Sequence, residues 1–385
     1  MIPLSKPHIT PADIRGVVQV LKSGQLSMGT KTEQFERQFA GRIGTAHALA
    51  VNSGTSGLHL ALRACGIGER DEVITTPFSF VASANCILFE KAKPVFVDVD
   101  EETFNLNPAL VKNAITEKTK ALLPVHIFGQ SCAMDELMAI ARSHHLKVIE
   151  DACEALDATY HGKKVGTFGD AAVFAFYPNK QMTTGEGGMV VTNDAAIAEL
   201  CNSMRNQGRD VKNMQWLTHH RLGYNYRMTE MSAALGCSQL AKLDMLLAKR
   251  IRIAQKYLKK LKTISGIILP KTAQGNTHTW FVFPVRVADG ISRDKVIEGL
   301  HARGVASKAY FSPCIHLQPF YKTFGFKEGD FPIAEKISRT TLILPLYAQM
   351  TEKDINTVVA ALTASIAEAR QQDVPNVPQD VPGAV

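Results

Sequence analysis

Between about residues 45 and 195, short apolar runs of strand length alternate with segments whose apolar residues recur at helical spacing. Residues 73–76, 94–99, 121–127, 148–151, 171–176 and 189–192 read as buried strands. Residues 56–64, 81–89, 108–115 and 134–144 carry the helical period between them. Continuous apolar strands joined by helices predict an α/β fold, a mostly parallel central sheet covered by helices on both faces.

The rhythm then changes. Residues 231–261 hold few helix breakers and read as helical, 280–287 as a strand, and 293–303 and 354–370 as helices. This is the pattern of a smaller α+β domain, with the boundary near 245–265. The expected organisation is a large α/β domain over 1–250 and a C-terminal α+β domain over 251–370. The stretch 371–385, rich in Pro, Gln and Asp and repeating Val-Pro, reads as a disordered tail.

Composition narrows the field. A chain of 385 residues that is 45% hydrophobic and 21% charged can bury a substantial core unaided. Its seven cysteines are scattered with no CxxC, which predicts reduced, packed thiols and no metal site. The first residues lack a signal-peptide pattern and no apolar run is long enough to span a bilayer, so the expected location is cytoplasmic and away from membranes. The net charge of +7 is spread along the chain, whereas nucleic-acid binding needs a concentrated basic face.

Four segments carry candidate chemistry, each just beyond a predicted strand, where open α/β sheets gather their ligands. Lys180 stands in FYPNKQMTTGEGG; a lysine partly removed from water there can attack a carbonyl, although a lone loop lysine is more often simply solvated. Asp151 and Glu154 stand in VIEDACEA; a carboxylate at a strand end can pair with a protonated pyridine nitrogen, or merely cap the next helix. AVNSGTSGLHL leads a strand through small residues into a helix starting near Thr55, whose free N–H groups suit a phosphate, although an ordinary capped helix reads the same way. It is no P-loop, lacking GxxxxGK[ST]. In TTPFSFVASAN, Phe80 has the place to stack on a planar ring, although most such rings are core. A lysine, a carboxylate, a phosphate cradle and a stacking ring are together the parts that pyridoxal phosphate requires.

Over residues 2–366 the chain resembles the DegT/DnrJ/EryC1/StrS family of sugar aminotransferases. The motifs run in order: SGTSGLHLAL (53–62), DEVITTPFSFVASAN (71–85), PVFVDVD (94–100), PVHIFGQ (124–130), IEDACEAL (149–156), NKQMTTGEGGM (179–189), GYNYRMTE (223–230) and IHLQPFY (315–321). The resemblance implies fold type I of the pyridoxal-phosphate enzymes, working as a homodimer with shared active sites. Lys180 would carry the cofactor as a Schiff base and later transfer a proton. Asp151 would bind the pyridine nitrogen, Phe80 would cover the ring, Glu154 would stand near its hydroxyl, and Thr55 and Ser56 would hold the phosphate. Asn225 of the partner subunit would complete that phosphate site, and Arg227 of the same segment would reach the sugar nucleotide. Tyr310 and His316 are further candidates on the substrate side.

Two positions depart from the pattern: Ala175 stands where many members have a serine that binds phosphate, and Glu154 where many have Gln or His. Glu at the latter position resembles perosamine synthases, which aminate a 4-keto sugar. The implied reaction takes the amino group of L-glutamate to a keto sugar nucleotide, at a 3-keto or 4-keto carbon, with ping-pong kinetics. One alternative is the dehydratase branch, whose members generally carry histidine in place of the lysine. A non-catalytic, cofactor-binding regulator is the alternative of another class, but no segment outside the enzyme-like region reads as helix-turn-helix.

Overall fold

The computed structural model describes residues 1–209 and 218–372. The segment expected to be a disordered tail lies, from residue 373 on, outside the described residues.

A seven-stranded sheet forms the centre, its strands side by side in the order His47–Val51, Gly188–Thr192, Ala171–Ala175, Lys147–Asp151, Thr119–Leu122, Glu72–Thr75, Lys93–Phe96. Gly188–Thr192 runs antiparallel to both its neighbours, and every other pairing is parallel. Successive side chains of a strand point to opposite faces, and each face here has its own core. Leu49, Val51, Val73, Ala121, Ile149, Ala171, Val173 and Val190 pack on one side with the helix Gly54–Ala64. Their neighbours Ala48, Ala50, Ala172, Phe174, Met189 and Val191 pack on the other with Phe35 and Phe39 of the helix Thr30–Ile43. Ile74, Leu122 and Val148 continue that second face against the helix Met134–Ser143. Burial on both faces is why these strands read as unbroken apolar runs.

A second sheet orders its strands as Ile267–Ile268, Phe283–Val287, Thr341–Leu344, Lys308–Ala309, all antiparallel. Its core joins Phe283, Val285 and Leu342 to Tyr257 of the helix Leu243–Leu261 and to Val358 and Leu362 of the helix Glu352–Gln372. Ile2 bridges Val305, so the first residues pack with this second core.

Two expected elements differ. The strand expected over 121–127 ends at Leu122: Pro124 has no N–H for the ladder, and residues 127–129 turn through Phe128 (φ 57°) and Gly129 (φ 105°). A side chain at Gly129 would meet the Trp280 nitrogen at 2.7 Å, so glycine is needed for this close approach as well as for the turn. The strand expected from 280 begins at Phe283, because residues 279–281 instead bond to this turn (Thr279 N to Gly129 O 2.9 Å, Phe281 N to Phe128 O 2.8 Å). Residues 230–261 are helical as expected, in two helices, Glu230–Ala241 and Leu243–Leu261.

Candidate active site

A cleft of about 1280 Å³ opens beyond the carboxyl ends of the central strands. Asp151 ends the strand Lys147–Asp151, Ala175 ends its neighbour, and Ser53 follows the end of His47–Val51; all three line the cleft.

Lys180 reaches this cleft through a tight loop. Its N–H bonds Tyr177 O at 2.9 Å, while Phe176 and Gly187 close the base of the loop, Phe176 N to Gly187 O, at 2.9 Å. The side chain is only 13% exposed, with Nζ 3.7 Å from Glu154 Oε1 and 3.9 Å from the centre of the Phe281 ring. Glu154 is itself buried and accepts from Phe128 N at 2.9 Å through Oε2. Burial pushes its pKa up, and the Lys180 charge opposes that rise.

Asp151 is buried yet only partly committed. Oδ2 accepts from the Ser83 hydroxyl at 2.7 Å and Oδ1 from Cys153 N at 3.1 Å. Ser83 is in turn 2.9 Å from Ser79. Each carboxylate oxygen can accept two bonds, so capacity remains for a donor in the cleft.

The helix Gly54–Ala64 begins at the cleft wall with Ser53 as its cap. Ser53 Oγ accepts from Ser56 N at 3.1 Å, and Gly57 N bonds Ser53 O. Among the described residues, the N–H groups of Gly54 and Thr55 have no protein partner, and both residues line the cleft. These are the open donors that a helix start offers an anion. A side chain at Gly54 would come within 2.7 Å of Ala175 Cβ and 3.0 Å of Cys153 Sγ, so only glycine lets this turn approach the adjoining strand end.

The cleft thus brings together Lys180, Asp151, Glu154, Thr55, Phe80 and Tyr310. Phe80 is 62% exposed at its edge. Tyr310 stacks on Phe311 (5.2 Å, 18°), and burial raises its phenol pKa. Two expected residues, Ser56 and His316, stand outside the cleft, and Asn225 and Arg227 were expected to act from the partner subunit. Ser56 does not line the cleft; its N–H is spent on Ser53, and Gly54 offers the open donor instead. His316 also stands away from the cleft, fully buried, bonded through Nε2 to Glu335 Oε1 at 3.1 Å; its motif position hid the fact that Glu335 claims it. Asn225 and Arg227 do not line the cleft of their own chain: the Asn225 carbonyl accepts from Asn52, and Arg227 Nη1 bonds Asn206 Oδ1 at 3.0 Å.

Sequence reasoning passed over Ser83 and Phe281. Ser83 lies in the quoted motif beside Phe80 and is exposed as a site residue only by its contact with Asp151. Phe281 sits in an apolar run with no local signal. It is fixed by the fully buried Arg250, whose Nη2 bonds Phe281 O at 2.6 Å and whose Nε bonds Trp280 O at 3.0 Å. With no carboxylate beside it among the described residues, Arg250 has its pKa pushed down by burial to about 10.

Comparison with known proteins places these features in context. The DegT/DnrJ/EryC1/StrS aminotransferase family profile matches residues 7–363. GDP-perosamine synthase of Caulobacter vibrioides is 44% identical over 339 residues, 87% of this chain and 90% of that protein. The solved structure of S. venezuelae DesV in complex with a ketimine intermediate superposes with a TM-score of 0.87 at 37% identity, covering 94% of each chain. The PLP form of Spr1654 from Streptococcus pneumoniae gives 0.90 at 27% identity, covering 96% of this chain and 99% of that one. Among the described residues, no helix is long and apolar enough to cross a membrane.

Proposed function

The chain belongs to the DegT/DnrJ/EryC1/StrS aminotransferase family, and from that premise we propose that it moves the amino group of L-glutamate to a keto sugar carried on a nucleotide, using pyridoxal phosphate. The observation that carries this reading is the single cleft in which a shielded lysine amine, a half-committed carboxylate and two open helix N–H groups converge. That donor set fits the cofactor: an amine for its aldehyde, a carboxylate for its ring nitrogen, and N–H groups for its phosphate. The Ala175 methyl offers the phosphate no hydroxyl, so its donors on this wall would include the open N–H groups of Gly54 and Thr55.

When bound, the cofactor supplies an electron sink that lets an amino group leave one carbon and join another. The protein supplies position and protons. Asp151, oriented by Ser83 and Cys153 N, would hold a positive charge at the ring nitrogen, and Phe80 would cover the ring. Lys180 would anchor the cofactor through its amine and serve as the group that moves a proton at the substrate carbon; Glu154 and Phe281 keep that amine over the cleft. Retention of a lysine at this position favours amino transfer over the dehydratase alternative.

The sugar side draws on charge. Among the described residues lining the cleft, Lys180 is the one cation, against Asp151, Glu154 and Glu186. A nucleoside diphosphate needs positive charge that this wall lacks. Arg227 of the partner subunit, with Asn225 of the partner subunit near the phosphate, would provide it in a homodimer. Glu154 and the similarity to GDP-perosamine synthase favour a guanosine-linked 4-keto sugar.

The test is spectroscopic. The purified protein should be yellow, L-glutamate alone should bleach it, and a panel of 3-keto and 4-keto nucleotide sugars should then be screened for the one that restores the colour. A colour that persists with glutamate would remove the reading.

A further inference from the structure

The wall of the cleft formed by the helix Ala82–Phe89 and the segment 318–321 is largely apolar, with Leu88, Phe89, Pro319 and Phe320 facing the opening. Phe89 and Phe320 are both more than half exposed. Two amides interrupt this surface. Gln318 spends its Nε2 on Pro313 O at 3.0 Å. Asn85, on the helix that carries Ser83 toward Asp151, is different.

The carboxamide of Asn85 is held across the cleft wall by a residue 236 positions away: Tyr321 Oη lies 2.7 Å from Asn85 Oδ1. Tyr321 is 1% exposed, and its ring is wedged against Phe96, Phe320 and Phe324. A buried phenol keeps its proton, since burial raises its pKa, and Asn85 is its hydrogen-bond partner among the described residues. Leaving that O–H unmatched costs more than leaving an acceptor lone pair idle. The phenol therefore donates, and only the Oδ1 end of a carboxamide can accept. This fixes which way the amide faces. Asn85 Nδ2 has no partner among the described residues, yet it is not among the buried polar atoms that lack one, so it remains open in a residue that lines the cleft.

We infer that Asn85 is a substrate-positioning residue, its Nδ2 presented as a hydrogen-bond donor to an acceptor oxygen of the sugar nucleotide, and that Tyr321 is the lock which keeps the donor end facing the cleft. The inference rests on the sugar-nucleotide reading above and adds a named contact to it. An amide free to flip would offer its acceptor half the time. Locked, it discriminates for an oxygen acceptor on the incoming sugar.

The experiment uses the full-length, cofactor-loaded protein and reads two half-reactions separately, with GDP-perosamine as the sugar probe and L-glutamate as the donor. Asn85→Asp replaces the donor with an acceptor of nearly the same shape and leaves the Tyr321 bond possible. The expected result is a rise of at least about 10-fold in the Kd for GDP-perosamine by titration calorimetry, consistent with loss of one hydrogen bond that leaves an oxygen unmatched. The glutamate half-reaction should stay within about twofold, because the contact is made only by the sugar. Tyr321→Phe, which removes the lock and keeps the donor, should show a smaller rise of about threefold in the same Kd. GDP-perosamine bound by Asn85→Asp as tightly as by wild type would overturn the proposal. So would an equal loss in both half-reactions, which marks a merely structural residue. Failure of the underlying reading looks different, since the wild-type protein itself would then leave GDP-perosamine unbound.

Discussion

Glu150 and Asp151 are consecutive residues of one strand, both buried, on opposite faces of the sheet. Glu150 accepts from His126 Nε2 at 3.0 Å and from the N–H groups of Gly166, Phe168 and Gly169 at 2.7–2.9 Å. His126 is oriented from its far side by Cys132 N, which donates to Nδ1 at 3.0 Å. Burial works to raise the Glu150 pKa, but these bonds outweigh it and hold the carboxyl below its usual range. Asp151 takes two donors and keeps capacity toward the cleft. The same chemical group is saturated behind the sheet and open in front of it. Hydrogen-bond completeness, more than burial, separates the carboxylate tied into the fold from the one left open to the cleft.

The sharpest way to break this comparison is to neutralise each carboxylate in turn. Glu150→Gln replaces an acceptor of four bonds with a group that must point an N–H₂ at N–H donors, and should destabilise the fold by about 3–5 kcal/mol in urea unfolding. Its activity per folded molecule should be unchanged. Asp151→Asn should do the reverse, lowering turnover by about 10²–10³-fold with little change in unfolding midpoint. If both variants lost stability equally, the division of labour would be wrong. Ser83→Ala removes one bond to Asp151 and should weaken cofactor retention about 10-fold, measured by dialysis and absorbance.

A smaller effect sharpens the contrast for histidines. His278 is stacked flat on Trp280 (3.8 Å, 5°), its Nδ1 accepts from Trp280 N, and burial alone pushes its pKa down to about 3. In the unfolded chain it titrates near about 6.5, so as pH falls the unfolded state binds the proton first. Its contribution to stability is complete above the unfolded pKa and lost as pH drops toward the folded value, at no more than about 1.4 kcal/mol per pH unit. His278→Gln should flatten the dependence of unfolding free energy between pH 6.5 and 4.5. A wild-type slope that survives the substitution would assign it to another group.

Much of this was legible in the sequence because it follows from local pattern. Strands buried on both faces must be apolar throughout, so the sheet could be read from runs such as 171–176. Lys180, Asp151 and Thr55 were legible because each sits just past such a run, among residues too small or polar to continue it. The rest depended on contacts distant in sequence. Nothing near His316 announces Glu335, and nothing near Phe281 announces that Arg250 will hold it beneath a lysine 101 positions away. Ser56 failed for a nearer reason: one side chain, Ser53, took the N–H that the turn was expected to leave open. The apolar run 121–127 outlasts its strand, which ends at Leu122, while Val125 beyond it lines the cleft; periodicity cannot mark that end in so short a run.

The account stands on Lys180 as the point where the cofactor is anchored. Reduction of the yellow protein with borohydride, followed by proteolysis and mass mapping, reads this directly. The expected result is one peptide spanning residues 177–189, heavier by the reduced cofactor at Lys180, and no such adduct in Lys180→Ala. An adduct on another lysine, or none in a protein that remains yellow, would contradict it.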